Sequence, residues 1–334
     1  MISIVIITRN EAGNIGRLLT QLLRLSAPNL VEILVVDGAS TDQTRNIVRD
    51  FAMRYVMVRL VCLPSYGFAL QRNIGALEAR GEHILYLSAD VVPTPNLLLK
   101  YSAAITRGYE IVQGSAVDIC QDPGTISQLL CCFRSFAYRS NAPAIPAHAS
   151  TVNLLIRRSL VIEDPFDEGL IACEDKELVL RIHHNVPCTR LATAAVYHLF
   201  RASPTQFWRK AFREALCIGQ MAARRPLLRA FREVNFFNWI TLTAAYWVIT
   251  PLTVLLAIAS LRGRPVVSAT LAVLTFWVGI SLWWLRGFLM ALLARQPRTA
   301  LHYPWMALGH TTAVIGGITA GYVTQLIARP KTLA

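Results

Sequence analysis

Acid is what the second half of this chain lacks. From Leu199 to Ala334 there are 2 Asp and Glu against 15 Lys and Arg, while Met1 to His198 holds 18 of each sign, so the net charge of +13 belongs to the C-terminal part. Charge is scarce throughout, at 16% of 334 residues, and hydrophobic residues make up 54%. That balance excludes an ordinary soluble protein and predicts membrane spans. No nucleic-acid-binding motif accompanies the basic excess, which therefore favours anionic membrane lipids over RNA or DNA. The 7 cysteines form no CxxC pair and are odd in number, so they read as free thiols in a reducing compartment. No GxGxxG follows the first strand-like run, which argues against a nicotinamide oxidoreductase. The opening "MISIVIITRNE" has a short apolar run with no basic segment before it, so it is not read as a signal peptide. The first half is expected in the cytosol.

What is present divides the chain in three. Residues 1–200 alternate strand-like runs ("SIVIIT", "VEILVVD", "YVMVRLVC", "HILYLSAD", "EIVQGSAV") with amphipathic helical stretches. Strands apolar on both faces with helices between them predict an α/β fold, a mostly parallel sheet covered on both sides. Ligands of such folds bind beyond the carboxyl ends of the strands, where Asp37 and Asp90 fall. Residues 201–236 interleave Phe207, Trp208, Phe212 and Leu216 with Arg209, Lys210 and Arg213, the pattern of interfacial amphipathic helices. Residues 237–334 hold three apolar stretches, about 239–261, 266–285 and 300–328, each long enough to cross a bilayer. The positive-inside rule then sets a multi-pass protein of the cytoplasmic membrane with its N-terminal domain in the cytosol. "GITAG" (Gly317 to Gly321) is a small-xxx-small pattern suited to helix packing, including between two copies.

One stretch poses the functional question. "ILYLSADVVP" runs a buried strand into Asp90 and breaks at Pro93. As a helix cap Asp90 is poorly placed, because Pro93 and Pro95 delay the next helix. Taken in order, "IVIITRNEAGNI", "ILVVDGASTDQT", "GFALQRNIGALEARGEHILYLSAD" and "FDEGLIACEDKELVLRI" resemble the family 2 inverting glycosyltransferases of the GT-A type over about residues 1–215. The membrane tail makes the chain similar to the polyisoprenyl-phosphate and exopolysaccharide branches of that family. The resemblance implies a GT-A, Rossmann-like domain and transfer from a nucleotide-diphosphate sugar to a lipid-linked acceptor. The acceptor is then a polyprenyl phosphate or a lipid-linked glycan.

The resemblance also implies roles. Thr8, Asn10 and Glu11 frame the donor nucleotide, Asp37 contacts the base, and Arg72 nears the sugar and diphosphate. The family's usual Asp-x-Asp, which holds Mg²⁺ or Mn²⁺ against the diphosphate, reads Ser88-Ala89-Asp90 here. Asp90 keeps the acid that is generally the direct ligand, Ser88 faces the sugar or a metal-bound water, and His198 lies near the metal. In the Glu174-Asp175 pair the family places its catalytic base, usually on the Asp. Arg201, Arg209 and Arg213 suit the leaving diphosphate or a lipid phosphate.

Plainer readings stand beside these. Asp37 suits a turn cap, Glu11, Glu174 and Asp175 suit helix N-termini, and Arg72 suits a solvated helix face. His198 suits a structural role, and the arginines suit membrane anchoring. At the level of the whole protein the alternatives are a non-catalytic membrane scaffold, for which Ser88 speaks, and a processive polysaccharide synthase.

Overall fold

The structure is a computed structural model that describes residues 1–25, 29–120, 149–200, 204–224, 316, 317 and 320. The chain divides into two compact units, Met1–Gln121 with Phe133–Arg201, and Asp122–Cys132 with Ala202–Ala334.

The first unit holds an 8-stranded sheet in the order β3-β2-β1-β4-β7-β6-β8-β5. Its parallel half is β1 (Ile2–Thr8), β2 (Leu30–Gly38), β3 (Val58–Leu63) and β4 (His83–Ser88). The helices between them are α1 (Ile15–Leu23), α2 (Thr44–Arg54) and α3 (Phe68–Glu78). The period-2 pattern of these strands divides the core between two faces. Ile4, Ile6, Ile33, Val35, Leu85 and Leu87 pack with Ile15, Leu18 and Leu22 of α1 and Val48 of α2. Val5, Leu34, Val36, Ile84 and Tyr86 pack on the opposite side with Ala69 and Ala76 of α3. A one-residue slip of β1 would exchange the two sets, so its apolar sequence fixes the register.

Beyond β4 the sheet turns mixed. After β5 (Val91–Pro93) and α4 (Leu97–Thr106), β6 (Ile111–Cys120) and β7 (Asn153–Arg157) pair antiparallel, and β7 runs antiparallel to β4. Next come α5 (Arg158–Glu163), α6 (Glu174–Ile182) and β8 (Cys188–Phe200). β8 lies parallel to β6 and antiparallel to β5. The mostly parallel α/β sheet expected from the sequence is therefore present, with an antiparallel extension. Asn153 anchors that extension. Its fully buried amide donates to the carbonyls of Ser115 (3.0 Å) and Ala194 (2.9 Å) and accepts from the Tyr101 hydroxyl (2.7 Å).

In the second unit, α7 (Pro204–Arg224) buries Ala211, Ala215, Cys217 and Met221 and exposes Arg209, Phe212 and Arg213. A Cβ on Gly317 would fall 2.3 Å from the Phe212 carbonyl and 2.8 Å from the Ala215 side chain. The glycine of "GITAG" thus lets its backbone press against α7. Among the described residues no helix is long and apolar enough to cross a membrane. Apart from Gly316, Gly317 and Ala320, the three expected spans lie outside the described residues, as do residues 225–236 of the interfacial pair.

Candidate active site

The carboxyl ends of β1, β2 and β4 come level, with Thr8 beside Asp37 and Ile7 beside Ser88. Asp37 is fully buried. Its Oδ1 accepts the Ser40 amide (3.0 Å) and the Arg45 guanidinium, and its Oδ2 accepts the Thr8 (3.1 Å) and Ser40 hydroxyls. Burial alone would raise this carboxyl, but those hydrogen bonds outweigh it and hold the group below the ordinary aspartate range. The expected base contact is therefore the node that ties β1 to the loop after β2.

That loop is stitched to the loop after β1. Ser40 Oγ accepts the Asn10 amide (2.9 Å), Thr44 Oγ1 that of Glu11 (2.8 Å), and Asp42 that of Ala12 (3.1 Å). The Asn10 side-chain oxygen takes the Thr41 amide in return (2.8 Å). Asp42 also accepts from the Thr44 amide (3.0 Å) at the start of α2. Two loop residues adopt left-handed backbone without being glycine, Asn10 and Ala39, both at φ 57°. Conformations of this kind cost about 1–3 kcal/mol and persist only where the surroundings enforce them. Glu11 is held by the Asn14 amide (2.8 Å). Its carboxyl is raised by burial, with the negative charges of Asp90 and Asp42 adding to the effect.

At the end of β4 the side chain of Asp90 is 29% exposed, and its Oδ2 lies 3.2 Å from His198 Nε2. The pairing of β5 with β8 sets this contact, because Val91 is level with His198 and the Leu199 amide donates to the Asp90 carbonyl (2.9 Å). His198 Nδ1 lies 2.6 Å from Asp118 Oδ1, from the neighbouring β6. Burial pulls this imidazole down, but the two carboxylates outweigh it and raise its pKa. Asp118 was not singled out from the sequence; it falls just past the run "EIVQGSAV" read there as a strand. Among the described residues no group of three or more His, Cys, Asp or Glu is arranged to hold a metal ion. The part-exposed Asp90 carboxylate does fit as one oxygen ligand of a hard divalent cation whose remaining ligands are phosphate and water.

The far wall is α6. Cys173, at φ 60°, turns the chain into the helix, so that Glu174 points inward. Its carboxylate meets the Arg72 guanidinium of α3, and both residues are buried. Arg72 also lies 5.6 Å from the Phe68 ring and 5.7 Å from the Phe166 ring. Burial raises the Glu174 carboxyl, against the pull of Arg72. Asp175 is half-buried, accepts from Thr151 and from the Lys176 amide (2.8 Å), and is the less enclosed acid of the pair.

The structure thus ranges Thr8, Asp37, Ser88 and Asp90 along one strand edge, joins His198 to Asp90, and joins Arg72 to Glu174. Arg209 and Arg213 are exposed on α7 of the second unit, and Arg201 lies outside the described residues. A mixed sheet with acids at its carboxyl edge and an acidic pair at a helix start thus makes up the candidate site.

Comparison with known proteins carries this further. Residues 3–163 match the family described as Glycosyl transferase family 2. Glycosyltransferase AglE of Haloferax volcanii is 29% identical over 203 residues, which are 59% of this chain and 63% of that protein. The chain thus spans under two thirds of that relative's length. The mannosyltransferase PcManGT of Pyrobaculum calidifontis, solved with GDP-Man and Mn²⁺, shares the fold at TM-score 0.59 and 18% identity, over 98% of this chain and 88% of that one. S. aureus TarS residues 1–349 with UDP-GlcNAc aligns at TM-score 0.51 and 18% identity, over 94% and 90% of the two chains.

Proposed function

We propose that this protein is a glycosyltransferase that moves a sugar, with inversion, from a nucleotide-diphosphate donor to a lipid-linked acceptor at the cytosolic face of the cytoplasmic membrane. The observation that carries the reading is Asp175, a half-buried carboxylate held by protein donors at the start of α6, in the same unit as the strand-end Asp90. An inverting transfer needs an acid on the acceptor side, distinct from the group at the leaving diphosphate. The acceptor oxygen attacks C1 as the bond from C1 to the diphosphate oxygen breaks. Where the acceptor is a hydroxyl, Asp175 takes its proton; where it is an ionised phosphate, Asp175 positions it. Asp90 would hold Mg²⁺ or Mn²⁺, which when bound supplies positive charge to the leaving diphosphate. The donor class is supported by the relatives solved with GDP-Man and UDP-GlcNAc. The membrane acceptor is supported by the basic, acid-poor tail and by exposed Arg209 and Arg213.

The test is calorimetric binding of UDP, GDP and CDP to the detergent-solubilised chain, with and without Mn²⁺, alongside Asp90→Ala. One nucleotide should bind tightly with metal and lose that dependence in the variant. Failure of all three to bind a folded sample would overturn the donor assignment.

A further inference from the structure

We infer that Thr151 is a positioning residue that aims the Asp175 carboxylate; the inference rests on the reading of Asp175 as the acceptor-side acid. Thr151 donates its amide (3.0 Å) and its hydroxyl (3.3 Å) to Asp175 Oδ2, across 24 residues of sequence. The Lys176 amide donates to Oδ1 (2.8 Å). An ionised carboxylate offers about four lone-pair sites. Thr151 occupies both on Oδ2 and Lys176 occupies one on Oδ1, which leaves a single site, on Oδ1, for an acceptor proton. Without the Thr151 hydroxyl the carboxylate keeps only the Thr151 and Lys176 amides and turns more readily about its χ2 bond.

Thr151 is itself held rigidly. It is 4% exposed, and Asp175 is the hydroxyl's one acceptor among the described residues. On either side the backbone is pinned to β6. The Ser150 amide donates to Gln113 Oε1 (2.8 Å), and Gln113 Nε2 donates to the carbonyls of Ser150 (3.3 Å) and Asn153 (3.0 Å). From the opposite direction the Arg72–Glu174 pair fixes the first turn of α6. Two independent anchors, one on the sheet and one on α3, therefore converge on one carboxylate. A plain helix-terminal acid would need only the contact that Lys176 provides. Catalysis by a positioned acid is sensitive to displacements of an ångström or less, which gives such anchoring its value.

The experiment compares Thr151→Val, which removes the hydroxyl, with Thr151→Ser, which keeps it. Carbodiimide-promoted amine labelling of the full chain, read at Asp175 by mass spectrometry, requires no substrate. Labelling of Asp175 should rise several-fold in Thr151→Val and return close to the parent rate in Thr151→Ser, with labelling of the distant Asp50 unchanged. Equal labelling of Asp175 in all three proteins would overturn the inference. Kinetics on GDP-mannose and UDP-N-acetylglucosamine with a lipid-linked glycan acceptor, whose hydroxyl carries the proton Asp175 would take, then separate the two claims. Thr151→Val should lower kcat on the order of tenfold at unchanged donor KM, and should add nothing in an Asp175→Asn background. Additive losses would overturn the positioning role. Full transfer by Asp175→Asn alone would instead sink the base reading and leave the labelling result standing.

Discussion

Arg72 and Glu174, separated by 102 residues, meet as a buried ion pair that fastens α3 to the first turn of α6. Desolvating two charges gains little net stability, but removing one partner leaves the other stranded. Arg72→Met should therefore destabilise the protein by about 3–5 kcal/mol, and Arg72→Met/Glu174→Leu should recover most of the loss. Urea midpoints of the two variants check this. In Arg72→Met the Glu174 carboxyl, already raised by burial, loses the cation that restrains it. A raised acid stabilises the fold below its unfolded pKa and loses that contribution as pH rises through its folded pKa. The single variant should thus be closest to the parent at acid pH.

Glu32 and Asp37 give the opposite dependence. Burial raises Glu32, but donors from Arg59, the Arg80 amide and Ser3 outweigh it and leave it below its ordinary 4.5, and Asp37 lies below 3.8 for the same kind of reason. A depressed carboxyl stabilises the fold above its unfolded pKa and loses this as pH falls through its folded pKa. Thermal stability should drop steeply below about pH 4, and Glu32→Gln should flatten the drop while lowering the plateau at neutral pH. A Glu32→Gln curve parallel to the parent's would remove Glu32 from the account.

Gly75 is where α3 touches the sheet. A Cβ there would stand 2.5 Å from Val5 Cγ1, a stiff β-branched side chain at the centre of β1. Gly→Ala in a helix ordinarily gains about 1 kcal/mol from propensity, whereas overpacking a core costs about 1–3 kcal/mol. Overpacking should win, and Gly75→Ala should unfold at lower denaturant than the parent. A stabilised variant would mean that α3 lifts from the sheet at no expense.

Ser88 stands where a second strand-end acid is usual. Ser88→Asp should tighten Mn²⁺ binding on the order of tenfold, since ligand charge sets the affinity of such sites. Titration of Mn²⁺ into the nucleotide-bound variant measures the change. Unaltered affinity would place the cation away from this strand end.

The parallel half of the sheet was legible because "SIVIIT" and "VEILVVD" are apolar on both faces, a pattern that only a covered sheet satisfies. Asp37 and Asp90 were legible because they end or follow such runs, and Glu174 and Asp175 because they open a helix in the last of the motifs that carry the family resemblance. The partners were not. Local sequence gives no sign that Glu174 meets Arg72, that Asp118 reaches His198 across a strand pair, or that Thr151 reaches Asp175. Each contact depends on register between distant elements, and the antiparallel insertion of β7 that sets the last of these has no counterpart in the α/β alternation read along the chain.

The loop after β2 turns at Ala39, where glycine would serve without strain. Alanine has far fewer backbone states than glycine once unfolded, so keeping it there narrows the wandering of "DGAST" before the chain folds. In the folded loop the same restriction leaves less conformational entropy to give up on association than a glycine hinge would. Ala39→Gly should thus act as a thermodynamic probe. It relaxes the turn, yet it should make nucleotide binding more enthalpic and entropically less favourable, with the difference appearing in −TΔS before it appears in Kd.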